Sequence, residues 1–249
     1  MAQALVTPLI ESGQLDAASI RAAVASEASR QRLAANGLPV STNPGAAWAC
    51  PVVVLAVKPQ QLEAAASAAG GAGGLLISVL AGVRLQRLQE LFPQWRCIRA
   101  VPNTPALVRN GLTGLAWGVG VEAAERTWVR QLFGQVGEVH ELPEAQLDPF
   151  LALTSSGPAF VALVAEALAD GAVAAGLPRA LASHLAHRTL AGSAALLHEQ
   201  ELHPGQLKDM VGSPAGTTMA GIRQLERAGL RSALIEAVLA ATERSRELG

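Results

Sequence analysis

A chain of 249 residues that is 50% hydrophobic and 16% charged can bury a large core and is too apolar for wholesale disorder. Its formal net charge of −1 leaves no basic excess to neutralise phosphates, which argues against a nucleic-acid partner. Two cysteines, Cys50 and Cys97, exclude a disulfide scaffold and a four-cysteine zinc site and fit reduced thiols in the cytoplasm, and the lack of tyrosine removes any mechanism that needs a tyrosine acid.

Ala2–Glu11 predicts a helix stopped by Gly13, with no basic run ahead of its apolar part, so no signal peptide is expected. Ile20–Ala25 reads as a short strand and Glu27–Ala35 as a helix stopping at Asn36-Gly37. Pro51–Val57 is a continuous valine-rich run, the pattern of a strand buried on both faces. A helix over Gln60–Ala69, a glycine cluster around Gly71, a buried strand at Leu75–Leu80 and a helix at Arg84–Leu91 follow. Arg96–Val101, Leu112–Gly118 and Val136–Glu141 read as strands, with a helix at Glu122–Phe133. The uncharged stretches 33–57 and 64–83 are punctuated by prolines and glycines and do not read as membrane spans. Strands alternating with helices predict a mostly parallel sheet covered on both faces.

Beyond Pro143 the β-branched runs end. Helical spacing governs Pro158–Ala175, Arg179–Glu199, Pro214–Ala228 and Arg231–Glu247, with breaks at Gly176-Leu177-Pro178 and His203-Pro204-Gly205. The expected fold is α/β: a Rossmann-like domain over residues 1–142, then an all-α domain over residues 143–249.

Three successive strand ends carry special chemistry. Val57-Lys58-Pro59 puts a cation where open α/β sheets bind ligands. Leu80-Ala81-Gly82 lets backbone approach a ligand closely, and Pro102-Asn103-Thr104-Pro105 holds small polar groups rigidly. In the helical part, Ser213 reads as an N-cap and Pro214 as the first helical residue, a helix start suited to a carboxylate. Two motifs count for less. Gly118-Val119-Gly120-Val121-Glu122-Ala123-Ala124 fits a dinucleotide fingerprint, but Glu122 and Glu125 put negative charge where a pyrophosphate would lie. His184 and His187 lack a carboxylate partner at metal-ligand spacing, so no metal site is expected.

Taken together, Val53–Gln60, Arg99–Ala106, Ser156–Leu177 and His203–Glu226 resemble the pyrroline-5-carboxylate reductase family. His203-Pro204-Gly205-Gln206-Leu207-Lys208-Asp209 leading into Ser213-Pro214-Ala215-Gly216-Thr217-Thr218 is the most specific part of the likeness. The resemblance implies hydride transfer from NADPH (or NADH) to 1-pyrroline-5-carboxylate, giving L-proline. It also implies a homodimer whose dimers often assemble into decamers; the cysteines and the charge pattern add a cytoplasmic location with no nucleic-acid or membrane partner. By resemblance Asn43, Ala56, Val57, Lys58, Pro59, Val79, Leu80 and Ala81 contact the cofactor. Glu144 lies near the substrate. Ser213, Gly216 and Thr217 supply donors for its carboxylate, and Thr218 is the catalytic hydroxyl that meets the ring nitrogen. Ser26, Ser29 and Arg30 stand where a 2′-phosphate could be met, which favours NADPH. Ala215 departs from the family glycine. The likeness begins at the helix that follows the family's first strand and glycine loop, so the chain as written is expected to lack both. A cofactor-deficient oligomerising homologue and a reductase of the β-hydroxyacid dehydrogenase type are the alternatives; the latter needs a helical lysine, for which Lys208 is the one candidate.

Overall fold

The computed structural model describes residues 2–13, 15–35, 37–70 and 73–248. Asn36 and Gly71, which the sequence reads as turn residues, lie outside the described residues. The chain forms two compact units. One runs to Ser155 and is rejoined from Ala240, and the other spans Ser156–Leu239.

In the first unit, α1 (Ala2–Glu11) buries Leu5 and Leu9. β1 (Ala22–Ala23) pairs in parallel with β2 (Val40–Ser41), and α2 (Glu27–Ala34) connects them. After α3 (Gly45–Trp48) come β3 (Val52–Leu55), α4 (Leu62–Ser67), β4 (Gly74–Ser78), α5 (Leu85–Leu91) and β5 (Trp95–Val101). Then follow β6 (Gly111–Trp117), α6 (Ala123–Gly134), β7 (Gly137–Glu141) and α7 (Leu147–Thr154). β3 to β7 form one sheet in chain order. All its pairings are parallel except β5 with β6, so β6 and β7 run opposite to β3, β4 and β5.

Successive strand side chains point to opposite faces, and the core divides accordingly. Leu76, Trp95, Cys97 and Val101 face α3, α4, α5 and α7 through Trp48, Leu62, Leu88 and Leu147. Leu75, Ile77, Ile98 and Ala100 face α1 and α6 through Leu5, Leu9, Val129 and Phe133. The valine run needs one correction. Among the described residues β3 is an edge strand paired only with β4, and Val54 is 43% exposed, so it is not buried on both faces. A continuous apolar run specifies an extended backbone, whereas centre or edge depends on distant strands.

In the second unit, α8 (Gly157–Ala174) packs on α9 (Arg179–Glu199) through small residues, with Ala169, Ala182 and Ala186 buried. α10 (Pro204–Val211) and α11 (Thr217–Arg227) follow, and α12 (Leu230–Glu247) begins in this unit and belongs to the first from Ala240 on. His203-Pro204 is the start of a helix as well as a break. His203 Nδ1 accepts the Gly205 N–H at 3.1 Å, and Gln206 Oε1 accepts the His203 N–H at 2.8 Å. That reciprocal cap, with proline in the first turn, nucleates α10.

Candidate functional site

Because β3, β4 and β5 are parallel, their carboxyl ends share one edge of the sheet, where open α/β sheets bind ligands. Ala56-Val57-Lys58-Pro59 leaves β3 with Ala56 and Lys58 exposed, and Lys58 O accepts the Gln61 N–H at 2.8 Å as Pro59 opens a 3₁₀ turn. Val79-Leu80-Ala81 leaves β4. Leu80 is buried and Ala81 exposed, and Gly82 turns the chain at φ +77°. No side chain fits at Gly82: a Cβ there would meet Leu248 Cβ at 2.7 Å. A cleft of about 560 Å³ opens beside these turns, with Pro59, Gln60, Val83, Arg84 and Leu248 among its walls.

The other polar groups that the sequence singles out divide between support and access. Asn103 accepts the Leu112 N–H at 2.8 Å and donates to Thr154 O at 3.0 Å, so it staples β5 to β6 and α7; Thr104 remains exposed. Asn43, beyond β2, accepts the Gly45 N–H at 2.9 Å and is exposed. Ser26 caps α2 by accepting the Ser29 N–H, and Arg30 beside it forms an exposed pair with Glu27.

The Gly118–Ala124 fingerprint is no part of this edge. It follows β6, which runs the other way, so it leaves the sheet at the opposite end. Its helix start is already filled by a capping box of Glu122 and Glu125. Glu125 also takes a two-pronged contact from Arg96 at 3.0 Å, which holds its carboxyl below the usual carboxylate range.

Glu144 sits at the carboxyl-end edge. Its Oε1 accepts the Leu85 N–H at 2.6 Å, at the start of α5, and meets Arg99 Nη1 at 3.5 Å. Arg99 is 1% exposed on β5, and its Nη2 donates to Asp148 Oδ1 at 2.8 Å. Ser245, near the end of α12, donates to the same oxygen at 2.9 Å. Sequence reasoning assigned no role to Arg99, Asp148 or Ser245. The signal that could have flagged Arg99 is its parity with Trp95, Cys97 and Val101, all of which face an apolar cluster.

In the second unit, Ser213, Gly216, Thr217 and Thr218 gather at the start of α11. The N-cap is Gly216, not Ser213, and Pro214 lies ahead of the helix. Ala215 explains the shift: its φ of +59° is left-handed and incompatible with helix. An L-residue there costs about 1–2 kcal/mol relative to right-handed backbone, the conformation in which glycine is at ease. The Gly216 N–H is engaged by Ser213 O at 3.0 Å, so Gly216 is not a free donor. The unfilled donors of this first turn are the N–H groups of Thr217, Thr218 and Met219. A Cβ at Gly216 would meet Ser213 Oγ, so the bare backbone here leaves room for that hydroxyl.

Burial pushes the Cys97 thiol up to about 11, which removes it from nucleophilic chemistry. No group of three His, Cys, Asp or Glu side chains suited to a metal occurs among the described residues.

Comparison with known proteins gives two family matches. Residues 144–248 match a model described as pyrroline-5-carboxylate reductase dimerisation, and residues 1–82 one described as NADP oxidoreductase coenzyme F420-dependent. A pyrroline-5-carboxylate reductase from Synechocystis is 53% identical, over 83% of this chain and 78% of that protein. One from Arabidopsis thaliana is 41% identical, over 100% of this chain and 92% of that protein. Among solved structures, a Plasmodium falciparum pyrroline carboxylate reductase with NADP bound superposes with a TM-score of 0.89 at 27% identity, covering 99% and 94% of the two chains. A Coxiella burnetii pyrroline-5-carboxylate reductase gives 0.85 at 33% identity, covering 100% and 94%.

Proposed function

Because this chain belongs to the pyrroline-5-carboxylate reductase family, we propose that it binds NADPH on the first unit's carboxyl-end edge and the imine's carboxylate on the α11 helix start. The protein is an NADP-dependent oxidoreductase that reduces 1-pyrroline-5-carboxylate to proline. The observation that carries the assignment of its groups is the start of α11, where three N–H groups and the Thr218 hydroxyl stand together ahead of an amphipathic helix.

The first unit fits a dinucleotide. Its carboxyl-end edge is accessible and carries the cation of Lys58, whereas Gly82 is buried and its close approach is to Leu248. Asn43, Ala56, Val57, Lys58, Pro59, Val79, Leu80 and Ala81 would hold the cofactor. When bound, NADPH supplies the hydride that reduces the C=N bond at C5.

The remaining work falls to this chain's own groups. The Thr217, Thr218 and Met219 N–H groups, at the positive end of the α11 dipole, take the carboxylate. Ser213 Oγ, packed against Gly216, adds a hydroxyl beside them. Thr218 Oγ1 meets the ring nitrogen, orienting it and serving as the local relay for its proton. Glu144 sets a negative charge near the protonated imine. Such an imine is already electrophilic, so orientation accounts for much of the rate.

The cofactor domain is taken as residues 1–142 and the substrate and dimerisation domain as residues 143–249. Assembly is a homodimer through the second unit, with decamers as the higher form. The apolar groove of about 1290 Å³ along α8 and α9 and the exposed Val161, Leu163 and Leu185 support that interface. The apolar stretch Glu144–Ala174, whose most apolar 18-residue window has a mean hydropathy of 1.5, is interrupted at Ser155-Ser156 between α7 and α8 and is read as interface, not as a membrane span. The free thiols of Cys50 and Cys97 support a cytoplasmic location.

The NADPH assignment rests on Arg30 beside the Ser26–Ser29 cap. Arg30→Ala is expected to raise KM for NADPH about tenfold, the worth of one charge-assisted contact, while KM for NADH stays nearly constant. Steady-state kinetics with both cofactors checks this. Equal effects on the two would remove Arg30 from 2′-phosphate recognition.

A further inference from the structure

We propose that Arg99 is a positioning residue for the Glu144 carboxylate, and that the end of α12 belongs to the same device through Ser245. The proposal rests on the reading that Glu144 faces the substrate.

The geometry carries it. A guanidinium 1% exposed, on a strand face otherwise filled by Trp95, Cys97 and Val101, must be compensated by charge and hydrogen bonds. Asp148 alone would neutralise it, through Nη2 at 2.8 Å. Yet the fork also directs Nη1 at Glu144 Oε1, 3.5 Å away. That oxygen is simultaneously held by the Leu85 N–H at 2.6 Å, so two elements fix one oxygen of the carboxylate. The other oxygen, Oε2, takes no hydrogen bond among the described residues, and the side chain is 31% exposed. One oxygen is anchored and the other presented.

Leu85 opens the helix that follows the β4 turn, so Glu144 is tied to the loop carrying Val79-Leu80-Ala81. The end of α12 touches both parts of this arrangement. Ser245 Oγ donates to Asp148 Oδ1, the oxygen that also binds Arg99. Leu248 packs against Gly82. The guanidinium fork is what lets one buried cation grip two carboxylates at once; a lysine at the same position is a point charge and cannot hold both in fixed geometry.

The test is a kinetic double-mutant cycle on the whole protein. Glu144→Gln keeps an acceptor for the Leu85 N–H and loses the charge; it is expected to raise KM for the imine about tenfold with a smaller change in kcat. Arg99→Lys keeps the buried charge and loses the fork; it is expected to raise the same KM several-fold, roughly three- to tenfold. In the double variant the KM should stay within about twofold of Glu144→Gln alone, because Arg99 acts through Glu144. Effects that multiply, or an Arg99→Lys protein with unchanged KM, would overturn the proposal while leaving Glu144 in the site. A silent Glu144→Gln would overturn the reading of Glu144 and this inference with it. If Arg99→Lys does not fold, Ser245→Ala takes its place in the cycle. It is expected to raise KM for the imine about twofold in the native background and not in the Glu144→Gln background; an equal rise in both would overturn the proposal.

Discussion

Asp148→Ala is expected to lower the unfolding free energy by about 3 kcal/mol, the low end of the cost of breaking a buried pair, because Arg99 would keep only its 3.5 Å contact with Glu144. Asp148 lies on α7 and Arg99 on β5, 49 residues away in sequence and 2.8 Å away in space. The side chains are 10% and 1% exposed, so water cannot take over the compensation. Ser245 would lose its acceptor in the same step and loosen the return of α12 to the first unit. Asp148→Asn, which preserves volume and an acceptor, should cost less. Urea titration at a fixed protein concentration measures both, fixed because assembly contributes to apparent stability. A loss below about 1 kcal/mol for the alanine variant would mean that the pair is not the buried lock its geometry describes.

Thr218→Ala is expected to reduce kcat/KM about 10–100-fold without lowering the thermal midpoint. The hydroxyl of Thr218 makes no hydrogen bond among the described residues, and alanine is the better helix former, so the fold has no use for it. Its loss would remove a contact to a charged ring nitrogen, worth about 1.5–3 kcal/mol. The N–H donors survive the substitution, so carboxylate docking should persist and the larger change should fall on kcat. Thr218→Ser should recover most of the activity. Unchanged kinetics in Thr218→Ala would take this hydroxyl out of the reaction.

What the sequence made legible follows what is local. Ala2–Glu11 and Arg179–Glu199 form helices with the bounds their spacing predicts, because amphipathic periodicity and stop residues are read within one segment. The buried strands around Leu75 and Arg96 are legible for the same reason. Val40–Ser41 is missed, since two residues carry no period. The antiparallel turn of β6 is missed because strand direction depends on the partner strand. α11 begins at Thr217, not Pro214, because a left-handed Ala215 interrupts a stretch whose composition favours helix. His203-Pro204-Gly205 is read as a break when, with Gln206, it is a cap, and a capping box is both.

The site divides in the same way. That Lys58 and Ala81 stand at strand ends is legible because strand ends have local signatures, whereas the helix start near Ser213 is legible only to within three residues. Arg99, Asp148 and Ser245 are not. Asp148 and Ser245 are 97 residues apart, and nothing near either announces the other. Their one trace is an arginine inside the otherwise apolar strand Trp95–Val101, a residue that must find its charge elsewhere.

Reduction of 1-pyrroline-5-carboxylate by NADPH is read most directly from its product. Purified protein, mixed with NADPH and the imine at about 1 mM, a concentration at the upper end of ordinary KM values, should form L-proline one for one with NADPH oxidised. A folded protein that forms no proline under those conditions, and whose NADPH is not consumed, would rule this activity out for the chain.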